Sequence, residues 1–370
     1  MKKKIMHIVQ SPGGVERYIQ MLLKNMDTSK FENILVCSHD YVEENYKSLV
    51  IAFEHVDMTR SISFKSDFKA SLRVRRLIKK YKPDVVYMHS SKAGAVGRIA
   101  NIGLKNKSIY NPHGWAFNMD CGVKKKAIYR WVEKILSPFV DVIIAISDFE
   151  RKSAIQNKIC KPCKIKVIYN GIDIDEYERK KNSFTLTREQ LAIPENAYVI
   201  GTVGRLTKQK APDTFIKAAA LIKKEIPQAY FMMVGDGVWQ DRIESLIKKL
   251  GLDDSVIITG WVSEPMEYIV LFDQAMLLSR WEGFGLVLPE YMLAGKTIIA
   301  TKVDAIPDLI KDGENGLLVE MDDVHGIVEA SKKLAHSPSI RDAAIKHGMS
   351  IVKIKFDIKR VVAELSSLFA

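Results

Sequence analysis

Short apolar runs alternate with amphipathic stretches of helical spacing along nearly the whole chain, and this alternation constrains the fold most tightly. In the first half the apolar runs fall at residues 5–9, 34–38, 85–89, 108–111, 142–146 and 166–169. Between them lie helical patterns at 15–24, 68–81 and 126–136. Strand, helix and strand repeated in this way predict a parallel sheet covered on both faces. The pattern weakens over 175–196, a polar stretch holding Lys180-Lys181-Asn182-Ser183 and Pro194. A second series then begins, with runs at 198–203, 229–234, 256–259, 276–279, 297–300 and 316–319.

A chain of 370 residues exceeds one ordinary α/β domain, so two doubly wound domains in tandem are expected. The boundaries read as 1–175, a linker at 176–196, and 197–350. The remaining helical stretch, 351–370, is expected to pack back towards the first domain. In open α/β sheets ligands sit beyond the carboxyl ends of the strands, so two such domains facing each other make a cleft.

Composition narrows the partners. Hydrophobic residues make up 47% and charged residues 27%, as in an ordinary folded protein. No apolar run approaches the ~20 residues needed to span a bilayer. The opening MKKKIMHIVQSPGG reads as a buried strand and not an export signal, because its apolar stretch is short and broken by His7. Cys160 and Cys163 have metal-like spacing, but no second Cys or His pair lies nearby in sequence, so reduced thiols are expected.

The net charge of +12 is uneven: residues 1–170 hold 31 Lys and Arg against 15 Asp and Glu, and residues 171–370 hold 25 against 29. That asymmetry points to a polyanion or an anionic membrane beside the first half alone. No motif or aromatic signature of nucleic-acid reading accompanies it, so nucleic acid is not expected. Two basic stretches also carry apolar stripes. One runs through Phe68, Leu72, Leu77, Ile78 and Tyr81, and the other through Ile128, Trp131, Val132, Ile135, Leu136 and Phe139. Helices of this kind lie on anionic lipid when the stripe faces outward, and serve the core when it faces inward.

Four loops at strand ends carry chemistry. Ser11-Pro12-Gly13-Gly14-Val15-Glu16 joins a strand to a helix, and its glycines allow close approach of a ligand to free helix amides. Gly201-Thr202-Val203-Gly204-Arg205 continues to Lys208 and Lys210, where Arg205 suits a bidentate grip on phosphate and Lys210 adds a second cation. Gly235-Asp236-Gly237 is a third. The most specific is the segment from Ser279 to Glu290, with Glu282 in a loop and Glu290 eight positions on, just past Pro289. Ionised carboxylates pair well with sugar hydroxyls, since each accepts two or more hydrogen bonds.

Taken in order, SPGGVE (11–16), NPHGW (111–115), AISDFER (145–151), VIYNGID (167–173), GTVGRLTKQK (201–210), VGDGVW (234–239), ITGWV (258–262) and SRWEGFGLVLPE (279–290) span nearly the whole chain. On these residues the chain resembles the family 4, group-1 retaining glycosyltransferases of GT-B architecture, including those of bacterial surface-polysaccharide synthesis. The resemblance implies an α/β fold of two Rossmann-like domains facing each other across a cleft, with transfer of a hexose-type sugar from a nucleotide diphosphate.

It also implies roles. Glu282 resembles the first glutamate of the Glu-x7-Glu motif, which holds the donor sugar, and Glu290 the second, which binds ribose hydroxyls. Arg205 and Lys210 resemble the diphosphate clamp. Gly13 and Gly14 fall in the glycine-rich loop facing phosphate and sugar, and His113 in the position beside the reacting centre. Phe284, Gly285 and Leu286 are expected to offer backbone amides, Trp261 and Val262 to read the base, and Gly204 and Gly235 to line the nucleotide site. Ala211, Lys296-Thr297 and Val303–Pro307 depart from the family's usual residues.

No metal or cofactor is expected, the nucleotide sugar being a co-substrate with UDP as the default base. The expected acceptor is a glycan or a polyprenyl-diphosphate-linked sugar. The expected location is the cytoplasm, on the inner face of the cell membrane through the first domain. A related epimerase, or a basic nucleic-acid-binding protein, is the competing reading.

Overall fold

The computed structural model describes residues 1–10, 13–59 and 63–369. The Ser11-Pro12 part of the first glycine-rich loop lies outside the described residues. The chain forms two compact units, Met1–Ile172 with Ile358–Ala370, and Asp173–Asp357.

The first unit holds seven strands: β1 (Lys3–Ile8), β2 (Phe31–Cys37), β3 (Ala52–His55), β4 (Val85–His89), β5 (Lys107–Asn111), β6 (Val142–Ala145) and β7 (Ile165–Val167). They lie in the order β3-β2-β1-β4-β5-β6-β7, and every pairing is parallel. Helices therefore cover both faces, and the central strands β1, β2 and β4 are buried almost throughout.

Residues two apart along a strand share a face. One face buries Met6, Ile8, Ile34, Val36, Val86 and Met88 against Val74, Leu77 and Ile78 of the helix Phe64–Tyr81. The other buries Ile5, Leu35, Val85 and Tyr87 against Ile19, Leu22 and Leu23, and against Val361, Leu365 and Phe369 of the last helix, Ile358–Phe369. That helix is further tied by Lys3 Nζ donating to the Phe369 carbonyl (3.0 Å) and by Arg360 donating to the Tyr169 carbonyl (2.6 Å).

The second unit repeats the plan with β8 (Tyr198–Val203), β9 (Ala229–Val234), β10 (Val256–Ile258), β11 (Gln274–Leu277), β12 (Thr297–Thr301) and β13 (Leu317–Val319). Their order is β10-β9-β8-β11-β12-β13, again all parallel. The whole of the polar stretch read as a linker, 176–196, belongs to this unit: Lys180 pairs with Glu264 (2.8 Å) and Arg188 with Asp273 (2.9 Å). In each sheet the strand order reverses between the first strand and its later neighbour, β1 with β4 and β8 with β11. Such switch points are where open α/β sheets take ligands.

Candidate functional site

In the second unit the loops leaving β8, β9, β11 and β12 meet at the carboxyl edge of the sheet. The β8 and β9 loops are laced by backbone: Gly204 N–H donates to the Val234 carbonyl (2.9 Å), Leu206 N–H to that of Asp236 (2.7 Å), and Trp239 N–H to that of Leu206 (3.0 Å). A Cβ on Gly235 would stand 2.4 Å from the Gly204 oxygen, and one on Gly237 2.5 Å from the Leu206 oxygen. These two glycines permit loop to lie on loop. Gly235 also bridges to Gly260, which brings Trp261 and Val262 to the end of β9, with Trp261 exposed.

The Glu282 loop is gripped from three sides. Lys210 Nζ donates to Glu282 Oε2, and Ser279 Oγ donates to the same oxygen (3.1 Å). Gln209 Nε2 donates to the Trp281 carbonyl (3.0 Å), and Arg280 N–H to the Gln209 carbonyl (2.8 Å), so the two loops are sewn together beside the ion pair. From β12, Thr301 Oγ1 donates to the Ser279 carbonyl (2.6 Å), the Glu282 N–H donates to Asp304 Oδ2 (2.9 Å), and the Ala305 N–H donates to the Glu282 carbonyl (3.2 Å). The departing segment Val303–Pro307 thus supplies the carboxylate that orients Glu282.

Arg280 anchors this assembly from behind, donating to Asp213 (3.0 Å), Asp322 (2.8 Å) and the Lys208 carbonyl (2.9 Å). Its guanidinium holds the Asp322 carboxyl below the usual range. Arg205 is exposed on the neighbouring loop.

Gly285 has a positive φ of 80°, and a Cβ there would meet Leu277 at 3.0 Å and Glu282 at 3.3 Å. Phe284 is buried edge-on against Phe356, so its ring serves the core. Leu286 is half-buried at the start of the helix Val287–Leu293, and Glu290 lies in that helix's first turn, 2% exposed. Structure therefore brings Lys210, Glu282, Ser279 and Asp304 together. Ser279 as a partner of Glu282, and Asp304, were missed in sequence, where nothing links a residue on one loop to a carboxylate 22 positions away.

In the first unit Gly13 precedes the helix Gly14–Asn25, with φ 117°, and its carbonyl accepts from Arg17 N–H (3.0 Å). Among the described residues a Cβ on Gly14 would meet nothing within 4 Å. His113 has φ 53°, and its N–H donates to Asn111 Oδ1 (2.9 Å). The following Trp115 is fixed by Glu150: its N–H donates to Oε2 and its indole to the Glu150 carbonyl, both at 2.9 Å. Ser147 caps that glutamate's helix, Asp148–Gln156. The His113 ring meets the Tyr18 ring edge-on at 4.7 Å, and burial pushes its pKa down to about 3, so it is neutral at pH 7.

Cys160 and Cys163 are free thiols, and burial pushes Cys160 up to about 11, which leaves it unreactive at neutral pH.

Two Rossmann-like units, with a cation–carboxylate pair at the switch-point edge of the second, define a GT-B fold of the sugar-transferring kind. Residues 183–350 match the family "Glycosyl transferases group 1", and residues 12–176 match "Glycosyltransferase Family 4". An uncharacterized 41.2 kDa protein in the cps region of Klebsiella pneumoniae is 32% identical, over 88% of each chain. The UDP-Gal:alpha-D-GlcNAc-diphosphoundecaprenol alpha-1,3-galactosyltransferase of Escherichia coli is 27% identical, over 98% of this chain and 97% of its own. The fold is shared with Anabaena HepE, solved in complex with UDP, at a TM-score of 0.83, 23% identity and 99% coverage of both chains. The chain belongs to the group-1, family 4 glycosyltransferases and is a glycosyltransferase.

Proposed function

We propose that this enzyme moves a hexose-type sugar from a UDP-sugar to a glycan or polyprenyl-diphosphate-linked acceptor in surface-polysaccharide synthesis, with retention of anomeric configuration. The observation that carries the reading is the Lys210–Glu282 pair, set on sewn loops at the second sheet's switch-point edge, with Glu290 eight residues further on. The E. coli relative's UDP-Gal donor and diphosphoundecaprenol acceptor, and the UDP bound to HepE, favour the donor and acceptor classes.

Breaking the bond between the anomeric carbon and phosphate oxygen builds negative charge on the departing diphosphate. Arg205 and Lys210 stabilise that charge, and fixed cations so placed contribute ~3–4 kcal/mol. Glu282 accepts hydrogen bonds from the sugar and shares the Lys210 ammonium, so the sugar and phosphate grips are mechanically one unit. Glu290 accepts from the ribose. The acceptor hydroxyl attacks the face the diphosphate leaves and passes its proton to the leaving phosphate. Neutral His113 contacts the sugar and is not the base. Charge stabilisation by the two cations makes the reaction independent of a metal.

We further propose that the first unit contacts the membrane and that the enzyme works on its cytoplasmic face. In the helix Val123–Leu136 Glu133 and Leu136 are buried, and most of the apolar stripe faces outward. Its inner side carries Glu133, which accepts from Arg98 and from Tyr110, both at 2.8 Å, while Val123, Ile128, Trp131 and Ile135 are exposed. Phe139 continues that outer face and Lys124 and Lys125 flank it, a combination suited to anionic lipid. Among the described residues no helix is long and apolar enough to cross a membrane.

The test is a thermal-shift screen of UDP- and GDP-sugars followed by transfer to a lipid-linked acceptor with and without EDTA. A rise in melting temperature with UDP-sugars, an axial–anomer product and EDTA-insensitive turnover are expected with an α-linked donor. Inversion of the anomer, or loss of turnover with EDTA, would refute the mechanism.

A further inference from the structure

Three histidines form one line at the carboxyl end of the first sheet. His7 lies on β1, His89 ends β4, and His113 follows β5 by two residues. His7 Nε2 is 3.3 Å from Asn33 Oδ1, and His7 Nδ1 is 3.3 Å from His89 Nε2. His89 Nδ1 is then 3.1 Å from His113 Nε2. The rings stack at centroid distances of 5.5 and 5.3 Å. His7 and His89 are wholly buried and Asn33 is 3% exposed.

Burying His7 and His89 in an apolar sheet is costly unless each is hydrogen-bonded, and apolar side chains of similar size would fill the space without that cost. A need for packing alone does not explain them. Proton counting gives the line a direction. Burial pushes His7 down to about 4, His113 to about 3 and His89 well below its ordinary value, so at pH 7 each ring carries one N–H. Three N–H groups must serve three links, and the line ends on an amide oxygen that can only accept. His7 therefore donates through Nε2 to Asn33, His89 through Nε2 to His7, and His113 through Nε2 to His89. The reverse order would set the Asn33 oxygen against a bare ring nitrogen.

A second polar layer fixes the backbone beside it. Asn111 accepts from the His113 N–H (2.9 Å) and donates to Tyr87 OH (3.4 Å), which in turn lies 3.3 Å from Tyr18 OH.

We propose that Asn33, His7 and His89 are positioning residues that hold His113 as its Nε2–H tautomer, leaving Nδ1 as an acceptor for a hydroxyl of the transferred sugar. The proposal rests on the reading that His113 contacts that sugar. A ring held in the wrong tautomer presents a donor where an acceptor is needed, and the loss falls on turnover.

The test labels the full-length protein with ¹⁵N-histidine and reads long-range ¹H–¹⁵N correlations at pH 7, assigning His113 through His113→Gln. The expected spectrum shows protonated Nε2 and bare Nδ1 for His7, His89 and His113. In His89→Phe, and in Asn33→Leu, His113 should become a tautomer mixture. There kcat should fall about tenfold or more while donor KM stays within about twofold. A protonated Nδ1 on wild-type His113, or an unchanged tautomer and kcat in a folded His89→Phe protein, would overturn the relay. The spectrum is read without turnover, so the two claims separate. Full kcat in His113→Ala would overturn the sugar-contact reading, and with it the relay's part in catalysis, whatever the tautomer.

Discussion

Substitution at Gly14 is a way to separate folding from the proposed function. Among the described residues a methyl added there meets no atom within 4 Å, and helix starts tolerate alanine at least as well as glycine. Gly14→Ala should therefore leave the melting temperature unchanged or slightly raised, while donor kcat/KM falls at least about tenfold if phosphate or sugar occupies that space. Unchanged kinetics would remove Gly14 from the site. The buried histidines give a prediction in pH. The folded-state pKa of His7 lies near 4 and its unfolded value near 6.5, so the unfolded chain binds the extra proton first. Its contribution is intact above pH 6.5 and is lost as pH falls towards 4. Urea unfolding should show about 2 kcal/mol less stability at pH 5 than at pH 7 from this residue alone, a loss absent in His7→Phe. At this scale sequence marked out the loops that carry Lys210 and Glu282, which the fold then brings together. It was opaque where partners are distant. His7 reads only as a break in an apolar run, and its bond to His89 spans 82 positions.

Elements explain a different set of hits and misses. Alternation gave both parallel sheets away, because strands covered on both faces must be apolar throughout. The strand β3 escaped notice: Ala52–His55 is four residues long, only half-buried and at the sheet edge, so it carries no continuous apolar run. The helix Val123–Leu136 shows the limit of periodicity. Its stripe is plain in sequence, but Glu133 faces the core beside Leu136, where Arg98 of another helix meets it, a partner 35 positions away. Loops were legible as glycine-rich, yet the reason differs at Gly235 and Gly237, where loop packs on loop. Gly237→Ala would force the Leu206 backbone away, and overpacking of this kind costs about 1–3 kcal/mol. Both the melting temperature and donor binding should fall together, since the β8 loop carries Arg205. A variant that melts normally and binds donor normally would show that the two loops need not touch.

For the whole molecule, charge and architecture divide the labour. Lys and Arg exceed Asp and Glu by 16 over residues 1–170, and the last helix completes the core of that same unit. Each cation near an anionic surface adds ~1 kcal/mol of binding. The enzyme should float with phosphatidylglycerol vesicles and not with neutral ones, and Trp131→Ser with Ile128→Ser should weaken flotation without loss of fold. Equal flotation by wild type and variant would move the membrane contact elsewhere. In the other unit the proposed work falls to Arg205 and Lys210, acting on the departing diphosphate. Single-turnover transfer at saturating UDP-sugar tests this proposal most directly, because binding and chemistry are then read apart. In Arg205→Ala with Lys210→Ala the transfer rate should fall by at least about a hundredfold, with a much smaller change in donor affinity. A transfer rate equal to the wild type's would contradict the account.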